Sequence, residues 1–255
     1  MRARGLTAAL AAAVALMPLT GCGQPLDPIE RLGRKAAERV GPEGAQEGGK
    51  GGAPPARVPV LDRVPTRDRV VFLTYDDGVE RDPRFVDMVR RQRLPVVLFL
   101  TDSVLGPGYG HFARLRAVGA TLENHTLDHT ALRGLPYAGQ RAEICGQQEK
   151  LHARFGVRPR LFRPPYGTYD ATTLRAAGDC GISALILWRV SVDDTGALRY
   201  AHGERALRPG DIVTIDTDET TGLPLRERTA RLLRDVEAAG LKPARLQRYV
   251  SPPRR

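Results

Sequence analysis

Asp76 and Asp77 close the apolar run Val71-Phe72-Leu73-Thr74-Tyr75 and precede Gly78, and a histidine pair follows in Asn124-His125-Thr126-Leu127-Asp128-His129. Two carboxylates and two imidazoles are the donor set of a metal-assisted hydrolase. Histidines at i and i+4 can face one cation, on a helix or at a strand-to-loop exit, and Asp77 adds a hard oxygen as third ligand. Three protein ligands leave a position for water, whose pKa the cation lowers. A carboxylate that does not bind the metal can then take its proton, and Asp76 fits that role. Asp-Asp-Gly also occurs as a plain turn, so a third element matters. In Phe162-Arg163-Pro164-Pro165-Tyr166-Gly167 two prolines fix the backbone and Arg163 can pair with a carboxylate.

Such residues need a rigid frame. Apolar runs predict strands near Val70 to Thr74, Val96 to Thr101, Ala120 to Glu123, Leu161 to Arg163, Ala184 to Trp188 and Ile212 to Ile215. Between them, apolar spacing predicts helices over Arg84 to Gln92, His111 to Val118, Gly139 to Phe155, Ala171 to Ala177 and Arg226 to Ala239. Repeated β-α alternation implies an α/β fold with a mostly parallel sheet or barrel, whose ligands gather past the strand ends. His111 and His152 fall on the predicted helices and stay outside the site, as ordinary surface or partly buried residues. Asp128 is left without a catalytic role, and Trp188 closes an apolar strand as core or as a border of a sugar groove.

With the three elements in order, the chain resembles the NodB-type polysaccharide deacetylases, carbohydrate esterase family 4, from about Arg69 to the C-terminus. Thr74-Tyr75-Asp76-Asp77-Gly78 looks like that family's Thr-Phe-Asp-Asp-Gly motif with a tyrosine variant. His125-Thr126-Leu127-Asp128-His129 is similar to its His-Ser/Thr-x-x-His motif, and Arg163-Pro164-Pro165-Tyr166-Gly167 to its third. The resemblance implies a distorted (β/α) barrel and a divalent metal, usually zinc, on Asp77, His125 and His129. It makes Asp76 the general base and Arg163 the residue that orients it. The backbone N–H of Tyr166 then helps hold the oxyanion formed when water attacks an N-acetyl carbonyl.

Two segments depart from the pattern. The fourth motif reads Trp188-Arg189-Val190-Ser191-Val192-Asp193-Asp194-Thr195, where only Trp188 and Asp194 match. In the fifth, Asp216 stands where the family has the histidine that protonates the leaving amine. An ordinary carboxyl, with a pKa near ~3.9, has no proton to give at neutral pH. The resemblance therefore suggests that Asp194 and Asp216 form a like-charge pair in which one carboxyl retains a proton. Asp76 returning its own proton, or a mobile His202, are the alternatives.

Ahead of the domain, Arg2 and Arg4 precede the apolar stretch Leu6 to Leu16, shorter than the ~20 residues of a spanning helix. It reads as an export signal, and Leu19-Thr20-Gly21-Cys22 resembles a bacterial lipobox. The expected organisation is a lipoprotein signal over residues 1–21, a Gly/Pro-rich tether over 22–65 with one short helix around Ile29 to Val40, and the deacetylase-like domain over 66–255. The expected location is the outer face of the cell membrane, held by lipidated Cys22, or the secreted state after ordinary signal cleavage. Cys145 and Cys180 then remain as an even pair in an oxidising compartment, which makes a disulfide between them plausible. The net charge of +10, which becomes +8 without Arg2 and Arg4, suits an anionic envelope. Scattered basic residues, few aromatics and export exclude nucleic acid. The expected activity is N-deacetylation of an envelope or extracellular glycan, peptidoglycan ahead of chitin. A glycan-binding lipoprotein without turnover and an O-acetyl esterase on xylan-like polymer are the competing readings.

Overall fold

The protein is described by a computed structural model over residues 58–217 and 220–250. The expected signal, the lipobox cysteine and the helix around Ile29 to Val40 lie outside those residues. Among the described residues no helix is long and apolar enough to cross a membrane.

The strands are β1 (Val60–Leu61), β2 (Val70–Tyr75), β3 (Val97–Leu100), β4 (Thr121–Asn124), β5 (Leu161–Phe162), β6 (Ala184–Ile186), β7 (Val190–Val192), β8 (Leu198–Tyr200), β9 (Ile212–Ile215) and β10 (Lys242–Pro243). The helices are α1 (Pro83–Gln92), α2 (Asp102–Leu105), α3 (Tyr109–Ala117), α4 (Tyr137–Phe155), α5 (Ala171–Asp179), α6 (Leu225–Ala238) and α7 (Gln247–Val250). The sheet runs β1-β6-β5-β4-β3-β2-β9-β7-β8, with β10 also on β2. Every pairing between these strands is parallel except β7 with β8. Between β6 and β7 the chain changes partners: Leu187 N–H donates to Leu61, and Arg189 N–H to Ile212 on the far side. That short segment joins the two sides of the sheet, which makes it the expected distorted barrel.

Side-chain alternation divides the core in two. Val70, Phe72, Val97, Phe99, Leu161, Ile186 and Ile212 form one cluster, the barrel interior. Val71, Leu73, Tyr75, Leu98 and Val213 instead meet Phe85, Met88 and Leu232 of the surrounding helices. Local signals start and stop those helices. Asp82 accepts the Arg84 N–H and Pro83 opens α1, while Asp170 and Thr173 form a capping box at α5.

The expected tether reaches too far. Val58 and Val64 are 7% and 2% exposed, and β1 pairs with β6, so residues 58–65 belong to the domain. Two-residue strands next to Pro59 and Pro65 carry no readable periodicity. The β7–β8 hairpin is a second feature absent from the expected elements. The Asp193 carboxylate accepts from Thr195 and Ala197 in its turn, and the Thr195 hydroxyl leads in holding that carboxyl down to about 2.

Cys145 on α4 and Cys180 after α5 are bonded, as the cysteine count suggested. Closing a loop of 35 residues contributes about 3–4 kcal/mol in the chain-entropy picture. Denaturant unfolding of the Cys145→Ser/Cys180→Ser variant checks this, and an unchanged midpoint would rule the contribution out.

The closing helix plugs the lower end of the barrel. Leu246 joins the interior cluster, and Gln247 Nε2 donates to Glu123 Oε1 at 2.9 Å. Glu123 Oε2 accepts the N–H groups of Arg160 and Leu161 at 3.1 and 2.9 Å. Burial nevertheless pushes its carboxyl up to about 7. A raised carboxyl stabilises the fold fully below its ordinary value and loses that contribution as pH climbs through about 7. Glu123→Gln, whose amide can donate to the otherwise unbonded Gln247 Oε1, should match the parent in acid. Its advantage at pH ~8 should be on the order of 3 kcal/mol. Unfolding midpoints measured across that range test the shift, and a pH-independent difference would contradict it.

Candidate metal centre and catalytic cleft

The same alternation places the chemistry. Inward positions of β2 run Val70, Phe72 and Thr74, so the next one, Asp76, stands at the upper opening of the barrel. His125 continues β4 and Arg163 continues β5 in the same way, while Thr214 lies on β9 and Asp216 continues it.

Asp76 is locked in place. Arg163 Nη1 donates to its Oδ1 at 2.6 Å and the Thr214 hydroxyl to its Oδ2 at 3.1 Å. The Thr217 hydroxyl donates to the Asp76 carbonyl at 3.1 Å. Arg163 is wholly buried, with Nε on the Ile186 carbonyl and Nη2 on that of Leu187, both at 3.2 Å. Its guanidinium also lies 4.3 Å from the Phe99 ring centre. Burial lowers its pKa, and the Asp76 carboxylate opposes that shift. The cation is hidden while the Asp76 side chain keeps 21% exposure, so the carboxylate alone faces the cleft.

Beside it, Asp77 Oδ1 lies 3.3 Å from His125 Nε2 and 3.0 Å from His129 Nε2, and the three ligand atoms fall within 4.8 Å of one another. His125 Nδ1 is 2.7 Å from the Arg163 carbonyl. A carbonyl only accepts, so Nδ1 carries the proton and Nε2 keeps its lone pair for a metal. Asp77 Oδ1 is buried and receives no hydrogen bond of proper geometry despite two nearby imidazoles. A cation resolves that orphaned oxygen, so the donor set fits a divalent ion with mixed nitrogen and oxygen preference. Burial acts to raise the Asp77 carboxyl, but the two histidines outweigh it and hold it well below the usual range. The same carboxylate raises His129 against partial burial.

Backbone strain gathers here. Asp77, Thr126, His129 and Tyr166 have φ of 64°, 72°, 57° and 58°, and the fifth non-glycine residue with positive φ among those described, Arg93, ends α1. Such conformations persist where surroundings impose them. Thr101 supplies part of that constraint: its N–H donates to the Asp77 carbonyl and its hydroxyl to that of His125. Asn124 accepts the Thr126 N–H, and Glu143 accepts that of Asp128. These supporting residues escape sequence reasoning because they sit on other elements. Asp128 is exposed, consistent with its omission from the site.

Tyr166 is 67% exposed and its ring meets that of His129 edge-on at 4.8 Å. A cavity of about 330 Å³ beside these groups is lined by Asp76, Asp77, Ser191, Thr214, Asp216 and Thr217 among others. Asp194 is not among its lining residues. Its carbonyl accepts the Leu223 N–H, and its carboxylate lies 3.4 Å from the Thr221 hydroxyl. Asp216 faces a cation. Arg228, buried on α6, comes within 3.8 Å of its carboxylate and donates to its backbone carbonyl at 2.7 Å. Arg228 is a helix residue that the motif spacing does not reveal. His202 lies elsewhere, on exposed Asp62 at 2.6 Å. His111 also differs from its reading: it is 4% exposed and paired with buried Glu80 at 2.6 Å.

The family model described as polysaccharide deacetylase matches residues 63–185. An uncharacterized protein of Streptomyces coelicolor is 58% identical over 92% of this chain and 91% of its own length. The chain belongs to the polysaccharide deacetylase family. The chitin deacetylase of Amylomyces rouxii is 32% identical over 49% of this chain, which spans 30% of that protein. A solved CE4 family pseudoenzyme from Bacillus anthracis shares the fold, with a TM-score of 0.64 and 18% identity over 78% of this chain and 70% of that one. In this deacetylase the three matching motifs lie inside the family match, while Asp194, Asp216 and Arg228 lie beyond it.

Proposed function

We propose that this deacetylase removes N-acetyl groups from an envelope glycan, peptidoglycan ahead of chitin-like polymer, with a divalent metal, zinc by the nature of the donors. The observation that carries this is Asp76, fixed by a buried arginine, beside three ligands converging on one point. A cation on Asp77, His125 and His129 supplies Lewis acidity and lowers the pKa of a water. Asp76 takes that water's proton as the oxygen attacks the acetyl carbonyl, and Arg163 with Thr214 keeps the carboxylate aimed. The Tyr166 N–H donates to the developing oxyanion. Breaking the C–N bond requires a proton on the leaving nitrogen. Asp216 lies beside the buried Arg228, and the return of the proton falls to Asp76, which took it.

Export and attachment through lipidated Cys22 complete the proposal. The charged, apolar and lipobox segments support it, and a disulfide suits an oxidising compartment. One observation favours a second reading, a glycan-binding protein with little turnover: a carboxylate paired with arginine stands where the family has a histidine.

Acetate release from peptidoglycan, chito-oligosaccharides and acetylated xylan by the zinc-loaded protein separates them. Release from a glucosamine polymer, retained within about threefold in Asp216→Asn, supports Asp76 as the acid. Silence of the native protein with activity in Asp216→His establishes the binding protein. Release from xylan alone would replace the amidase with an esterase.

A further inference from the structure

The arginines that look scattered along the sequence are gathered by the fold. Arg67-Asp68-Arg69 leads into β2, Arg91-Gln92-Arg93 precedes β3, Arg114-Leu115-Arg116 precedes β4 and Arg158-Pro159-Arg160 leads into β5, all eight arginines being exposed. These strands are neighbours in the order β5-β4-β3-β2 and run parallel. Four Arg-x-Arg pairs therefore stand side by side on one rim, at the ends opposite the catalytic loops. At a strand spacing of about 4.8 Å that rim is on the order of 15 Å wide. Exposed Lys242, opposite Val70 in the β10–β2 pairing, extends it. Asp68, Asp179, Asp235 and Glu237 are exposed acids near this end, and Asp68 is engaged by the Tyr249 hydroxyl at 2.7 Å. The opposite end carries Asp76, Asp77, Asp193 and Asp216 in its cavity.

We propose that the rim seats the domain on an anionic bilayer surface and turns the cleft away from it, towards the glycan. This rests on the lipoprotein reading above for the membrane's proximity. The chain from Cys22 joins the domain at the same end, because β1 runs parallel to β6 and hence to β2 through β5. A flexible tether limits distance without fixing orientation. A row of cations against phosphate headgroups fixes it, and each cation near such a surface strengthens partitioning about fivefold.

The test uses the chain from residue 22 onward with Cys22→Ser, so that no acyl chain contributes, and vesicles of phosphatidylcholine with or without an equal part of phosphatidylglycerol. Binding should require the anionic lipid and weaken with salt. Reversing four rim charges, Arg91→Glu, Arg93→Glu, Arg116→Glu and Arg160→Glu, should weaken it more than about 100-fold. The same reversal at exposed Arg133, Arg141, Arg199 and Arg231, away from the rim, should leave most binding intact. Equal loss in both variants, no loss in the rim variant, or binding to polyphosphate or DNA without binding to vesicles would overturn the proposal. Acetate release from a soluble chito-oligosaccharide, run on the same proteins, should be unchanged by the rim reversal. Because vesicle binding needs no turnover, an inactive protein that still binds through the rim would overturn the deacetylase reading alone.

Discussion

Asp76→Asn should lower kcat for acetate release by about 10³-fold or more while leaving metal content and KM nearly unchanged. General-base steps contribute typically about 10²–10⁴, and here the carboxylate is assigned both the removal and the return of the proton. Asparagine keeps the shape and one oxygen to accept from Arg163, but its amide takes no proton at neutral pH. Zinc content is the control that gives the result meaning, because Asp76 touches Arg163 and Thr214 while the three converging donors are other residues. A variant that loses metal together with activity would make Asp76 a ligand. One that keeps more than about a tenth of its rate would remove it as the base.

His125→Ala should weaken zinc binding by more than about 100-fold, since even residues that merely orient ligands change affinity by about 10–100-fold. Turnover at limiting zinc should disappear with it. The second readout is thermal. Metal that binds only the folded state at about 100 times its Kd adds about 2.7 kcal/mol, so a chelator should lower the melting temperature of the parent and not that of His125→Ala. The imidazole also closes a structural link, because Nδ1 joins β4 to β5 through the Arg163 carbonyl. His125→Gln therefore belongs beside it, and equal chelator sensitivity in parent and both variants would dismiss the metal site.

Much of this was legible from residue order. The apolar runs match β2, β3, β4, β5, β6 and β9 to within about two residues, because buried parallel strands are continuous hydrophobic segments bounded by polar turns. Which of Asp76 and Asp77 looks into the barrel mouth was not legible there, because β2 is buried on both faces. Short elements were not legible: β1, β7, β8 and β10 have two or three residues each and draw their stability from partners far along the chain. His111 shows the same limit, since a helix pattern cannot say that Glu80 waits behind it.

What the sequence determined by itself is the candidate set Asp77, His125 and His129 for a metal with Asp76 and Arg163 beside them, and the strands that end beside those residues, because both are local properties of residue type and spacing. The tertiary structure alone decided which charges meet. It gave Asp216 the buried Arg228, closed the barrel through residues 187–189, and lined up arginines from four separate segments on one rim. Each of those outcomes joins residues tens of positions apart or belongs to a surface that exists only after the sheet curls, and electrostatic energy depends on distance in space rather than along the chain.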